Sequence, residues 1–280
     1  MAWRFLLSFF FLTAFAISAE AASFQSLFAP DADLWARWTE HDESTTETID
    51  HTAWSEFLIR YHRIGNDGIA RVSYATVTPD DRAALDVYID GLADLAIRSY
   101  PRSQQFAYWV NLYNALTVRI VLDVYPVESI RDIDISPGLF ADGPWDAELL
   151  FIEDEAVTLN DIEHRILRPI WNDPRVHYVL NCASLGCPNL GARAFAADEM
   201  EAMLNAAART YINSPRGAHV ENGSLVVSRI YDWFHEDFGE GEEAVIAHLR
   251  QYAEPDLEEA LMASGDIDGY EYDWALNGVH

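Results

Sequence analysis

"SQQFAYWVNLYNALTVRIVLDVYP", Ser103 to Pro126, is apolar on nearly every side of a helical wheel. A surface helix carries one apolar stripe, whereas a helix that is apolar all round is buried. Pro126 cannot continue the helix, so it ends near Tyr125. The stretch therefore predicts a central buried helix around which the chain packs. Asn111 and Asn114 interrupt it three residues apart, on one face. Buried amides need partners, so this pair either pins neighbouring backbone or lines a pocket.

Shorter elements are legible on both sides. "TAWSEFLIRYHR" places Trp54, Phe57, Leu58 and Tyr61 on one helical stripe. "VTPDDRAALDVYIDGLADL" opens with Thr78 as N-cap, Pro79 at the first helical position and two acidic residues at the positive helix end. "ELLFIEDEAVTL" reads as a hairpin turning at Glu153-Asp154, and "HVENGSLVVS" as a hairpin turning at Asn222-Gly223. "TLNDIEHRILRPI" predicts a helix that Pro169 ends. "RVHYVLN" predicts a strand from its β-branched and aromatic residues. "AADEMEAMLNAAARTYIN" predicts a helix, as does "RIYDWFHEDF" with Ser228 as its cap. The fold class is α+β: one helix-rich domain with β-hairpins and a small sheet around the central buried helix.

The chain opens "MAWRFLLSFFFLTAFAISAEAASF". A basic residue, a short apolar run and Ala19-Glu20-Ala21 have the layout of a signal peptide cleaved after Ala21. The expected organisation is a leader over 1–21 and one domain over 22–280, periplasmic or secreted. The formal net charge is -28 and every one of the basic residues is arginine. Nucleic acid and anionic membranes are poor partners for such a surface. Without lysine there is no Schiff-base or pyridoxal-phosphate attachment. No Gly-rich phosphate loop, G-x-S-x-G elbow or H-E-x-x-H motif occurs, and no cofactor is expected.

"VHYVLNCASLGCPNL" holds both cysteines, Cys182 and Cys187, just after His177. In an oxidising compartment they would form a disulfide. Closing so short a loop contributes only about 2 kcal/mol. Alternatively, Cys187 is a thiol nucleophile with His177 as its base. A structural zinc site wants four ligands, so the two cysteines and His177 would need a distant one such as His164. In "DIEHRILR", Glu163 and His164 point to different helix faces, and a plain surface ion pair with Arg168 competes with any role in a site. In "WFHEDF", Trp233 reads as core and Asp237 as a helix-terminus residue.

Five segments together resemble the domain of unknown function 547 family: "FAYWVNLYNALTVRIVL", "TLNDIEHRILRP", "DPRVHYVLNCASLGCPNL", "SRIYDWFHEDFG" and "YDWALN", from Ser99 to Asn277. The resemblance marks Asn111, Tyr113, Asn114, Glu163, His164, His177, Cys187 and Pro188. A more distant likeness to papain-like or transglutaminase-like thiol enzymes implies a Cys-His site. Those enzymes place the nucleophile at the start of a buried helix, and the buried helix here has no cysteine. The leading expectation is a cysteine-dependent hydrolase or acyl transferase. Its catalytic residues are Cys187, His177 and an orienting Asn181 or Glu163, with Asn111, Tyr113, Asn114 and His164 on the substrate. The alternative is a non-catalytic module that binds a small molecule, peptide, glycan or protein and uses Cys182–Cys187 as a structural clip.

Overall fold

The computed structural model describes residues 30–138 and 142–279. The expected leader lies outside the described residues. Among those residues, no helix is long and apolar enough to cross a membrane.

Helix α1 (Thr52–Tyr61) buries Trp54, Phe57, Leu58 and Tyr61, the stripe expected from its spacing. It runs into a hairpin of β1 (His62–Ile64) and β2 (Ala70–Val72) that the sequence patterns do not announce. Helix α2 (Pro79–Ala93) starts where Thr78 Oγ1 accepts the Asp81 N–H at 3.1 Å. Helix α3 (Arg102–Val124) is the central helix, and every residue from Gln105 to Val118 is buried. It forms the axis of the larger core, against Trp54, Leu85, Ile166 and Val176. Strands β3 (Leu150–Ile152) and β4 (Glu155–Val157) pair antiparallel. Glu153 and Asp154 between them both have positive φ, 47° and 68°, as a two-residue type I′ turn requires.

The two segments that directly follow β4 depart from expectation, and both build the site. "TLNDIEHRIL" is a π-helix over Asp161–Leu167 rather than an α-helix. It begins with a reciprocal cap, Asp161 N–H to Thr158 Oγ1 at 2.9 Å and Thr158 N–H to Asp161 Oδ2 at 3.0 Å. Pro169 does not end it. The chain continues as the short α4 (Arg168–Trp171) until Asn172 turns left-handed at φ 48°. "RVHYVLN" is not a strand. Pro174–Tyr178 form a 3₁₀ turn capped by Asp173, whose carboxylate accepts the Arg175 N–H at 2.9 Å. This local cap and Pro174 outweigh the β-propensity of the residues.

Helix α5 (Met200–Ile212) leads to β5 (Ala218–Glu221) and β6 (Ser224–Ser228), which turn at Asn222-Gly223. The expected single helix after Ser228 is two, α6 (Ile230–Trp233) and α7 (His235–Phe238), broken at Phe234. Ser228 Oγ still accepts the Ile230 N–H at 3.2 Å. Helices α8 (Gly241–Tyr252) and α9 (Pro255–Ala263) precede β7 (Gly269–Glu271), which joins β6 in parallel. A second core gathers Tyr211, Leu225, Tyr231 and Leu249. The architecture is α+β, helix-rich, with small sheets around a buried central helix.

The C-terminal thread fixes the cysteine loop in place. Leu185 N–H donates to Ala275 O and Gly186 N–H to Asp273 O, both at 2.8 Å, and Asn277 N–H donates to Ala183 O at 2.9 Å. The approach at Gly186 is so close that a Cβ would lie 2.7 Å from the Asp273 nitrogen, which only glycine tolerates.

Candidate functional site

A cavity of about 560 Å³ opens where the π-helix, the 3₁₀ turn, the cysteine loop, α6 and the C-terminal thread meet. Its size falls in the usual range for small-molecule sites. Trp145, Trp233, Phe234, Tyr272 and Trp274 form its walls, with Glu163, His164, His177, Cys182 and Cys187 also on its lining. The walls pack on one another: Tyr272 and Trp274 centroids are 4.7 Å apart, Trp233 and Tyr272 4.8 Å, and Trp233 and Trp274 5.5 Å. The Arg131 guanidinium lies 5.3 Å over Trp274 and pairs with Asp142.

A charged network lies at the base. The His177 side chain is 1% exposed. Its Nε2 is 2.6 Å from Asp237 Oδ2, and its Nδ1 is 3.5 Å from Glu163 Oε1. The Phe234 ring stacks on the imidazole at 4.6 Å. Arg168, equally buried, donates from Nε to Asp237 Oδ2 at 2.6 Å, from Nη2 to Glu236 Oε1 at 3.0 Å, and from Nη1 to Pro30 O at 2.7 Å. The π-turn is what brings Glu163 to His177 while Arg168 reaches Asp237. Its widened hydrogen bond runs from Arg168 N–H to Glu163 O.

Burial alone would push the His177 pKa down, but hydrogen bonds to Asp237 and Glu163 outweigh it and raise the pKa. Burial likewise opposes ionisation of Glu163, yet the adjacent His164 and His177 and the Arg168 charge hold it at about 2. Asp237 is also held at about 2 against burial, by His177 and Arg168. The two carboxylates thus favour the imidazolium form of His177, and each ring nitrogen faces one of them.

His164 is the opposite case. Burial lowers its pKa to about 4, and the Arg168 charge adds to this. Arg168 Nη1 lies 3.0 Å from its Nδ1. A guanidinium only donates, so Nδ1 carries the lone pair and the proton of the neutral ring is on Nε2. His164 offers the cavity a fixed N–H donor and no base. Tyr113 also lines the cavity, and burial followed by the Glu163 charge pushes its phenol well up.

The two sulfurs form a disulfide. Cys187 is therefore not a free thiol, and both nitrogens of His177 face carboxylates. Asn181 does not orient the imidazole. Its Nδ2 donates to Pro188 O at 2.7 Å, and its Oδ1 accepts from Ala183 N–H and Asn277 Nδ2, each at 3.0 Å. It organises the cysteine loop and supports Ala183 at φ 57°. Asn111 and Asn114 lie outside this cavity. Asn111 exchanges two hydrogen bonds with the Phe195 backbone, at 2.9 and 2.8 Å. Asn114 donates to Val179 O at 2.9 Å and accepts from Asn181 N–H at 2.8 Å. Both amides pin backbone at their two ends. The zinc arrangement is not formed: among the described residues, no group of three His, Cys, Asp or Glu could hold a metal ion.

Tyr272 and Trp274 lie in the "YDWALN" segment but are not among the expected site residues, and Asp237 is expected chiefly as a helix-terminus residue, with a role in a site only second to that. The local signals are an acidic pair directly after aromatic residues in "DWFHED" and the two aromatic residues of "YDWALN". Residues 97–212 match the model of a family described as "Protein of unknown function, DUF547". The matched range ends before the segments that carry Asp237 and Tyr272. No curated protein and no solved structure matches the chain.

Proposed function

Residues 97–212 match the DUF547 family model, and we propose that the chain is an exported binding protein whose cavity takes a neutral or amine-bearing saccharide. One observation carries this reading: aromatic faces and acidic acceptors line a single cavity around one fixed N–H donor. Trp274, Trp233 and Tyr272 offer flat apolar faces to the C–H side of a sugar ring. Glu163 and Asp146 accept from hydroxyl or ammonium groups, and His164 Nε2–H donates to a ring or hydroxyl oxygen. Around the cavity the carboxylates of Asp142, Asp146, Glu163, Glu236 and Asp237 outnumber the charges of Arg131, Arg168 and His177. An anionic ligand is therefore disfavoured, and a cation over the tryptophans is favoured.

A thiol hydrolase or acyl transferase needs a free sulfur and a ring nitrogen able to accept a proton. The disulfide and the doubly engaged His177 supply neither, so binding is preferred. The test is tryptophan fluorescence on the oxidised protein, titrated with a neutral hexose, an amino sugar and a uronic acid. The first two should give saturable changes and the third none, and Trp274→Ala should abolish the response. No saturable change with any sugar, or an unaltered response in Trp274→Ala, overturns the reading.

A further inference from the structure

The Cys182–Cys187 bridge faces the cavity with two chemically unequal sulfurs. Both line the cavity, but Cys182 is partly exposed whereas Cys187 is 5% exposed. The Tyr272 hydroxyl reaches both sulfurs, 3.0 Å from Cys182 Sγ and 3.2 Å from Cys187 Sγ, and Ser184 Oγ lies 3.3 Å from Cys182 Sγ, but the backbone N–H of Cys182, at 2.9 Å, donates to the less exposed Cys187 sulfur alone. Ser184 Oγ holds that hydroxyl in place from 2.9 Å. Hydrogen-bond donors aimed at a sulfur stabilise its thiolate and make it the better leaving group.

The loop does not depend on the bridge for its shape. Backbone bonds tie Ala183, Leu185 and Gly186 to the C-terminal thread. Asn181 Nδ2 binds Pro188 O, and Arg216 Nη1 binds Leu185 O and Cys187 O at 2.9 and 2.5 Å. A clip in so well-held a loop adds little structural constraint, and the two sulfurs stay adjacent once the bond between them is cleaved.

We propose that this disulfide is exchange-active, a redox centre that reacts with small thiols entering the cavity. The thiolate of the incoming molecule attacks Cys182 Sγ. A new sulfur–sulfur bond forms to Cys182, the Cys182–Cys187 bond breaks, and its electron pair leaves on Cys187 as a thiolate held by Cys182 N–H and Tyr272. A second thiol, losing its proton to solvent, attacks the sulfur of the bound thiol and releases Cys182 as thiolate. The net reaction oxidises two thiols to one small disulfide and reduces the protein bridge to a dithiol. In reverse, the dithiol reduces a small disulfide. None of this rests on the saccharide reading, and sugar binding measured on the same samples reports on that reading separately.

The test incubates the native oxidised protein with reduced glutathione, alkylates free thiols with N-ethylmaleimide and maps the products by peptide mass. We expect a glutathione adduct on Cys182 with Cys187 alkylated, at concentrations that leave the circular dichroism unchanged. Tyr272→Phe should slow the reaction about tenfold, the effect of one hydrogen bond to a charged group. Because Tyr272 also belongs to the aromatic wall, a second pair of variants keeps the test decisive. With oxidised glutathione, the Cys182 thiol of Cys187→Ser should form the mixed disulfide much faster than the Cys187 thiol of Cys182→Ser. Adducts on Cys187, equal rates in the two variants, or no reaction until the protein unfolds would overturn the proposal.

Discussion

Replacing His177 by glutamine removes one positive charge from between two carboxylates. His177 lies 2.6 Å from Asp237 and 3.5 Å from Glu163, and the three side chains are only 1%, 16% and 12% exposed. At an effective dielectric of about 20 the gross attractions are roughly 6 and 5 kcal/mol. Most of that offsets the desolvation of three charged groups. The measurable quantity is the loss on removing one partner, about 3–5 kcal/mol for a buried pair, because the remaining charges stay buried. For a chain of this size that lowers Tm by roughly 6–20 °C. Thermal unfolding followed by circular dichroism at pH 6 measures it. The pH dependence supplies a second check. The folded-state pKa of His177 is raised, so its contribution is complete below the unfolded value of about 6.5 and fades as pH rises through the folded one. Glu163 and Asp237 are depressed to about 2. Their contributions are present above the unfolded value of about 4 and are lost as pH falls toward the folded one. The gap between wild type and His177→Gln should therefore be widest between about pH 4.5 and 6.5 and narrow on both sides. A loss under about 1 kcal/mol, the size of an ordinary substitution, or a gap that widens at alkaline pH, would refute the clamped imidazolium.

Two further perturbations follow from buried groups. His51, His164 and His248 are each lowered to about 4, chiefly by burial. The unfolded chain binds their protons first, so stability should fall as pH drops from about 6.5 to 4. Urea unfolding should show a shallower fall in His248→Gln, and an unchanged slope would remove His248 from this account. Asn181→Ala leaves Pro188 O, Ala183 N–H and Asn277 Nδ2 without their partner and should cost about 3 kcal/mol. It should also speed amide exchange in residues 182–188, and unchanged exchange there would mean that the C-terminal thread alone holds the loop.

What the sequence reveals and what it hides divide along physical lines. Helices α1 and α2 and the two hairpin turns are local: a stripe, a cap, or a pair of residues suited to positive φ defines each. The burial of α3 is legible because nothing polar enough to face water lies on most of its sides. The π-turn at Asp161–Leu167 is not legible, since Glu163 and His164 suit an α-helix equally well and only their tertiary partners select the wider turn. Pro174–Tyr178 carries strand-like residues, but among the described residues no strand pairs with it, and it is governed by the Asp173 cap. The site itself joins His177 to Asp237 and Cys187 to Tyr272 across long stretches of chain. No spacing rule connects such residues. Asn111 and Asn114 show the converse: that they pin backbone could be anticipated, but not which segments supply it.

The most direct test of the binding cavity is nitrogen-15 NMR of the histidine rings at pH 7, recorded before and after adding a neutral or amino sugar. The account predicts that His177 stays protonated on both nitrogens throughout. It also predicts that His164 is a neutral ring protonated on Nε2, and that this N–H signal shifts on binding. A neutral His177, or a His164 signal that ignores a sugar shown to quench the cavity tryptophans, would contradict it.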